Sequence, residues 1–212
     1  MRILSLCILL ALSISAYGIS FESINVSGGI IWVGNGDRSD ETTGAPSPID
    51  QEIGVRVPLR MASHFIVEPG ILYYGMDFGF DGGPRPRPVQ IEHREMFVLN
   101  WIAELNFLFP IELKPSITLS PGLSAAAVFR VPAITAPGEP DRSAEMAKYF
   151  YEWGRFFLPG GFVKLNWQFS NKYSFTLRPG VRLPVYRLWY IESAPVYDQM
   201  IIYCDLGFSY KF

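Results

Sequence analysis

The chain reads as an all-β protein, an eight-stranded antiparallel up-and-down transmembrane β-barrel. Three observations lead there. Apolar and polar residues alternate with a period of two in segment after segment, which gives a strand one apolar and one polar face. Hydrophobic residues make up 49% of the chain and aromatic ones 15%, yet nothing beyond the N-terminal segment resembles a run of ~20 apolar residues able to cross a bilayer as a helix. The connections between strand segments alternate between short and long. Only helices and closed barrels satisfy backbone polar groups in lipid. An exported, aromatic-rich chain without a spanning helix therefore points to a barrel. A secreted β-sandwich makes the same alternation with its faces reversed, and is the competing architecture.

The N-terminus supplies the export signal. Arg2 is followed by the apolar run Ile3 to Ile14 and by Ala16-Tyr17-Gly18, with small residues where signal peptidase reads. Residues 1–18 are expected to be a cleaved signal peptide, and 19–212 the barrel domain. Leu4-Ser5-Leu6-Cys7 superficially resembles a lipoprotein box. It precedes the end of the hydrophobic run, so lipidation is not expected. The mature chain then carries Cys204 alone and forms no internal disulfide. A net charge of −2 gives no hint of nucleic-acid binding.

Strands are expected at about 22–34, 51–61, 64–78, 94–108, 115–130, 156–169, 173–189 and 199–212. Short turns fall at Met61-Ala62-Ser63, near Pro110 to Pro115, and at Ser170-Asn171-Lys172. The other connections, Asn35 to Asp50, Gly79 to His93, Val131 to Arg155 and Tyr190 to Asp198, are longer. In an up-and-down barrel every second connection lies beside both termini. Signal cleavage puts those termini, and the short turns, in the periplasm, with the long loops outside.

Phe97, Leu99, Trp101, Leu105 and Phe107 alternate with Asn100, Glu104 and Asn106. Phe175, Leu177, Val181, Leu183 and Val185 alternate with Thr176, Arg178, Gly180 and Arg182. The apolar set is expected to face lipid and the polar set the lumen. Two aromatic bands frame the aliphatics. Phe65, Phe107, Trp167, Phe169, Phe175, Tyr210 and Phe212 lie near the short turns. Trp32, Tyr73, Phe97, Phe129, Phe157 and Trp189 lie toward the long loops. A weak repeat places Pro69-Gly70, Pro121-Gly122 and Pro179-Gly180 at matching points of three strands, with a related break at Pro159. Proline removes a ladder donor, so these pairs are read as bulges or bends in the wall.

The last eight residues, Asp205-Leu206-Gly207-Phe208-Ser209-Tyr210-Lys211-Phe212, end on an aromatic side chain. Asp205, Gly207, Tyr210 and Phe212 fit a pattern of polar, x, Gly, x, x, aromatic, x, aromatic. This resembles the C-terminal insertion signal of bacterial outer-membrane β-barrels. The resemblance implies that the periplasmic barrel-assembly machinery is a partner during biogenesis. In layout the whole chain resembles the small eight-stranded OmpX/OmpA-transmembrane/OmpW group. No motif selects one member, so no functional residue carries over.

The expected lumen charges are Glu52, Arg56, Arg60, Glu68, Glu104, Lys164, Arg178, Arg182 and Asp205, with Lys211 at the end. An eight-stranded barrel is narrow enough for side chains to fill it, which favours a salt-bridged plug over a polar path for a small solute. His64 and His93 belong to opposite ends and share no site. Some outer-membrane barrels modify lipid with a histidine at about the height of His93, but no deacylase-like His-x-Ser arrangement and no metal spacing accompany it. A solvated histidine is the reading preferred here. Gly83-Pro84-Arg85-Pro86-Arg87-Pro88 is a stiff cationic segment, read as a rigid loop ahead of a contact for anionic head groups or a host surface. Asp141 to Trp153 has helical spacing, with Met146, Tyr149, Phe150 and Trp153 on one face. That face either caps the barrel, lies on the membrane interface or packs as an ordinary loop helix. Cys204 is an apolar filler on the lipid side.

The expected protein is a monomeric, non-enzymatic integral outer-membrane barrel with exposed loops and a structural or surface-interaction role. It contacts outer-membrane lipids and needs no cofactor or metal. The alternative is an OmpW-like passage for small solutes, apolar ones included. A lipid-modifying enzyme ranks third. Phe212→Ala should lower the yield of membrane-inserted protein while leaving the folded fraction's heat-modifiable gel mobility unchanged. Insertion at the wild-type level would contradict the signal reading.

Overall fold

The computed structural model describes residues 20–34, 49–62, 64–80, 85–190 and 197–212. The proposed signal peptide, with Cys7, and much of the first long loop lie outside the described residues. So do Ser63, Gly83 and Pro84.

Eight wall strands follow one another: β1 Ser23–Val33, β2 Ile49–Arg56, β3 Phe65–Gly79, β4 Met96–Leu108, β5 Ile117–Thr135, β6 Gly160–Gln168, β7 Tyr173–Arg182 and β8 Ile201–Lys211. Each pairs antiparallel with its sequence neighbours. The last pairs with the first over its whole length, from Lys211↔Ser23 to Ile201↔Val33. The sheet is thus a closed barrel with no free edge to expose unpaired backbone groups. No described helix is long and apolar enough to cross a membrane.

Side-chain alternation sets the two faces. Val26, Ile30, Ile53, Ile71, Leu123, Val163, Leu177 and Leu206 point outward and are exposed. Around the short-turn end Phe169, Tyr173, Phe175 and Phe208 form one aromatic surface, with Phe169–Phe175 centroids 4.9 Å apart and Tyr173–Phe208 5.5 Å apart. Tyr210 and Phe212 continue it. Toward the other end Phe129, Phe157 and Trp189 are exposed.

Several boundaries differ from the sequence reading, each for a local reason. β7 stops at Arg182 rather than 189. Pro184 offers no amide hydrogen, and Val185–Leu188 turns as a 3-10 segment that buries Tyr186. β6 begins at Gly160 rather than 156. Pro159 interrupts the ladder, leaving only an isolated Ala127↔Phe157 bridge before it. β5 runs past 130 to Thr135 because it pairs with β4 up to Met96. The expected loop from Pro110 to Pro115 is partly a ribbon, Ile111–Lys114, folded on the start of β5. Arg87–Pro88 pairs with the end of β3, so this part of the cationic segment lies against the wall instead of projecting from it.

The proline–glycine pairs are not bulges. Pro69, Pro121 and Pro179 stay in register opposite Leu105, Val163 and Cys204. Each pyrrolidine nitrogen faces the other neighbour, where the missing donor is tolerated in different ways. Pro69 and Pro121 still accept bonds through their carbonyls, from Val57 N–H at 2.9 Å and Phe109 N–H at 3.0 Å. Pro179 sits where the β6–β7 ladder lapses, between Phe162↔Gly180 and Leu165↔Leu177. Register shifts occur elsewhere, at Arg60/Ala62, Phe97/Val98 and Glu112/Lys114.

The interior is not uniformly polar, which corrects the simple assignment of polar residues inward. The half near the termini holds Asn25, Ser27, Asn106, Thr176 and Ser209. The opposite half is an apolar core of Ile31, Leu72, Met76, Phe78, Val98, Ile102 and Val128. Strands β3 to β5 rise above their neighbours, and α1 (Ser143–Tyr151) packs on β5 with Met146, Tyr149 and Phe150 buried in that core. Phe150 meets Phe78 edge-on at 5.1 Å. Trp153 is not on this face, contrary to the helical spacing. The helix ends at Tyr151, and Trp153 adopts φ 57° and stacks on Tyr190 at 4.8 Å. The start of α1 is clamped by Arg142, which pairs with Glu145 through two 2.8 Å bonds and lies 3.4 Å over the Phe80 ring. The bond from Arg142 holds the Glu145 carboxyl below its ordinary range, and the Ser143 N–H does the same for Asp141.

Phe150→Ala should remove about 3–5 kcal/mol of packing from this cap. Tryptic cleavage at Arg142 and Lys148 should accelerate while the barrel remains resistant. Unchanged cleavage would mean that α1 is held by other contacts.

Candidate functional site

The middle of the lumen is a single ionic cluster built from six strands. Glu104, on β4, is its hub. Its Oε1 accepts Arg56 Nε of β2 at 2.6 Å and lies 3.7 Å from Arg178 Nη2 of β7, while Oε2 meets Arg182 Nη2 at 3.3 Å. Arg56 also reaches Asp205 of β8 at 2.6 Å and donates to Ser27 Oγ of β1 at 2.7 Å. Arg178 donates to Glu68 of β3 at 2.6 Å, and Lys164 of β6 pairs with the other oxygen of Glu68. Arg182 meets Glu52 of β2 at 3.2 Å.

Four carboxylates (Glu52, Glu68, Glu104, Asp205) face four cations (Arg56, Lys164, Arg178, Arg182), so the cluster carries no net formal charge. That balance matters because all eight residues are buried. A buried charge without a partner costs several kcal/mol, whereas a neutral, hydrogen-bonded set can persist. Two guanidiniums form the boundary with the apolar half: Arg178 lies 3.7 Å over the Phe162 ring and Arg182 4.0 Å over Tyr203. Below, Asn25 donates to Ser209 at 2.7 Å and Thr176 at 3.2 Å, and Asn106 donates to Glu104 at 2.8 Å.

Glycine makes room where strands approach the cluster. A Cβ on Gly70 would lie 2.8 Å from Arg56 Cγ. Gly207 of the terminal motif faces the lumen, where an added Cβ would collide with Thr176 and Asn25. This position therefore has a packing reason independent of any assembly signal.

Of the ten lumen charges expected from the sequence, two are outside the cluster: Lys211, exposed at the end of β8, and Arg60. Arg60 lies beyond the end of β2, in the segment Leu59–Ala62, where it is partly exposed and pairs with Glu22. The break at Val57-Pro58 and the approach to the turn carry it to the rim. Asp205 joins the cluster, while Tyr210 and Phe212 point away into the aromatic surface. His64 and His93 are exposed at separate ends, and His93 lies in the 3-10 turn Ile91–His93. Among the described residues, no group of three or more His, Cys, Asp or Glu gathers as a metal site.

Sequence reasoning missed Arg130, buried in the apolar half 5.0 Å over the Phe150 ring. It also missed the apolar core. A signal existed: Ile71-Leu72-Tyr73-Tyr74 is apolar on both faces, so alternation fails where both sides of β3 meet apolar surroundings.

No protein-family model and no curated protein matches the chain. Solved structures do share its fold. The crystal structure of Neisserial surface protein A aligns with 92% of this chain and 99% of that chain, at a TM-score of 0.56 and 8% identity. The outer membrane protein OprG from Pseudomonas aeruginosa aligns with 90% of this chain and 96% of that chain, at a TM-score of 0.53 and 12% identity. At such identity the likeness is one of fold: a small, closed, eight-stranded outer-membrane type of barrel.

Arg56→Met should destabilise the barrel by about 3–5 kcal/mol, because Glu104 and Asp205 lose their shared cation. Arg60→Met should cost less than ~1 kcal/mol. Urea unfolding in lipid, followed by tryptophan fluorescence, separates the two. Equal effects would contradict the central role of Arg56.

Proposed function

We propose that this chain is an integral protein of the bacterial outer membrane, exported by residues 1–18 and inserted by the barrel-assembly machinery. Its termini face the periplasm, and its long loops and α1 face outward. It acts as a monomeric, non-conducting and non-enzymatic scaffold with a structural or surface-interaction role, and we assign it no cofactor and no catalytic residue.

The filled lumen carries this reading. The neutral ion cluster occupies the middle of the barrel, and the apolar core sealed by α1 occupies the outer half. An ion would have to disrupt the first and dehydrate against the second. The apolar outer face, with aromatic residues toward both ends, suits a lipid surround. What the exposed side of the crown would meet is a host or neighbouring surface.

A second reading is an OmpW-like passage for small apolar solutes. Two observations favour it over an ionic channel: the apolar character of the outer half, and the lapse of the β6–β7 ladder at Pro179.

Refolded protein in planar bilayers should show heat-modifiable mobility and no discrete conductance. Arg178→Ala and Glu104→Ala together should leave it silent unless the cluster is the sole barrier. Reproducible channels in the wild type would overturn the scaffold reading.

A further inference from the structure

Beneath the ion cluster, at the end bearing the termini, the lumen opens into a cavity of about 180 Å³. At ~30 Å³ per water in the liquid, that is room for a few waters or one small polyatomic ion. Its lining charges are unbalanced. Lys164 is already balanced within the cluster, and the remaining cations, Arg60, Lys172 and Lys211, face the single carboxylate of Glu22. Glu22 engages Arg60, and Glu68 of the cluster engages Lys164.

Lys172 and Lys211 have no ion pair among the described residues. They are nonetheless held side by side. The Tyr173↔Tyr210 rung is the last of the β7–β8 ladder, and immediately beyond it Lys211 N–H donates to Lys172 C=O at 2.8 Å. Two like charges directly opposed across a strand pair destabilise it. Both side chains are exposed and line the mouth. Ser120 and Asn166 add a hydroxyl and an amide with no side-chain partner among the described residues. Cations, a donor hydroxyl and a donor amide around a small cavity form an oxyanion-binding set.

We propose that this mouth binds a phosphate-class oxyanion, held between the opposed Lys172 and Lys211 with Lys164 above it. The anion offsets the repulsion of the lysine pair and thereby joins the ends of β7 and β8. The phosphate is either dissolved or the head group of an anionic phospholipid at the barrel rim. The site needs only the closed barrel, not the scaffold role.

The test uses the full mature barrel in nanodiscs of phosphatidylcholine, titrated with inorganic phosphate at constant ionic strength. Phosphorus NMR reads binding, and the urea midpoint reads stabilisation. The wild type should bind saturably, and its midpoint should rise with phosphate but not with chloride. The Lys172→Gln/Lys211→Gln variant should lose about fivefold in affinity per lysine. In phosphate-free buffer it should be at least as stable as wild type, which separates lost binding from lost folding. Arg142→Gln, at the far end, should bind normally. If dissolved phosphate does not bind, but phosphatidylglycerol nanodiscs show a lysine-dependent phosphorus shift and midpoint gain, the head group is the ligand. Absence of both responses, or responses equal in the double variant, overturns the site.

Discussion

Glu104 draws Arg56, Arg178 and Arg182 to one carboxylate. These arginines come from β2 and β7, neither of which pairs with β4, and Arg178 also reaches Glu68 on β3, four strands away around the ring, so the cluster braces the barrel across its diameter. Each partner carries the constraint further, Arg56 to Asp205 on β8 and Arg178 to Glu68 on β3. Backbone closure alone fixes neighbouring strands; the cluster ties strands that never pair. It also explains Gly70, which leaves the space that Arg56 fills.

The same cluster divides the interior into unlike compartments. Above it, guanidiniums lie against Phe162 and Tyr203, and an apolar core continues to α1. Below it, hydroxyls and amides bond to one another and then open to a cationic mouth. Stacking lets a guanidinium satisfy both neighbours, since its edge donates to carboxylates while its face meets a ring. A lysine at Arg178 or Arg182 would supply the charge without that second surface.

The division of labour bears on function. Passage of ions demands a continuous polar path, and this lumen joins a locked ionic layer to an apolar one. Recognition demands accessible surface, and the crown supplies it. Trp153 stacks on Tyr190 and accepts the Trp189 indole N–H through its carbonyl at 2.8 Å, so this aromatic ledge is ordered rather than merely exposed.

Much of the fold was legible in the chain because the relevant physics is local. Period-two alternation marked the wall strands. Alternating connection lengths marked the meander, and the terminal strand marked closure. The lumen charges were legible from the same parity, which placed Glu52, Arg56, Glu68, Glu104, Lys164, Arg178, Arg182 and Asp205 inside. Parity says nothing about height. Arg60 has lumen parity, but it stands at the rim, where solvent and Glu22 receive it. Nor does parity reveal partners, because Arg178 and Glu68 are 110 residues apart and meet only after the ring closes. The helix at Asp141 to Trp153 was legible from its spacing, but the apolar upper core that it seals and the juxtaposition of Lys172 with Lys211 were decided by tertiary structure. Each depends on how far a strand rises and what stands across the lumen. By itself the sequence determined, through period-two parity, which face of a wall strand carries the lumen charges; the closed barrel decided their height and what each of them meets.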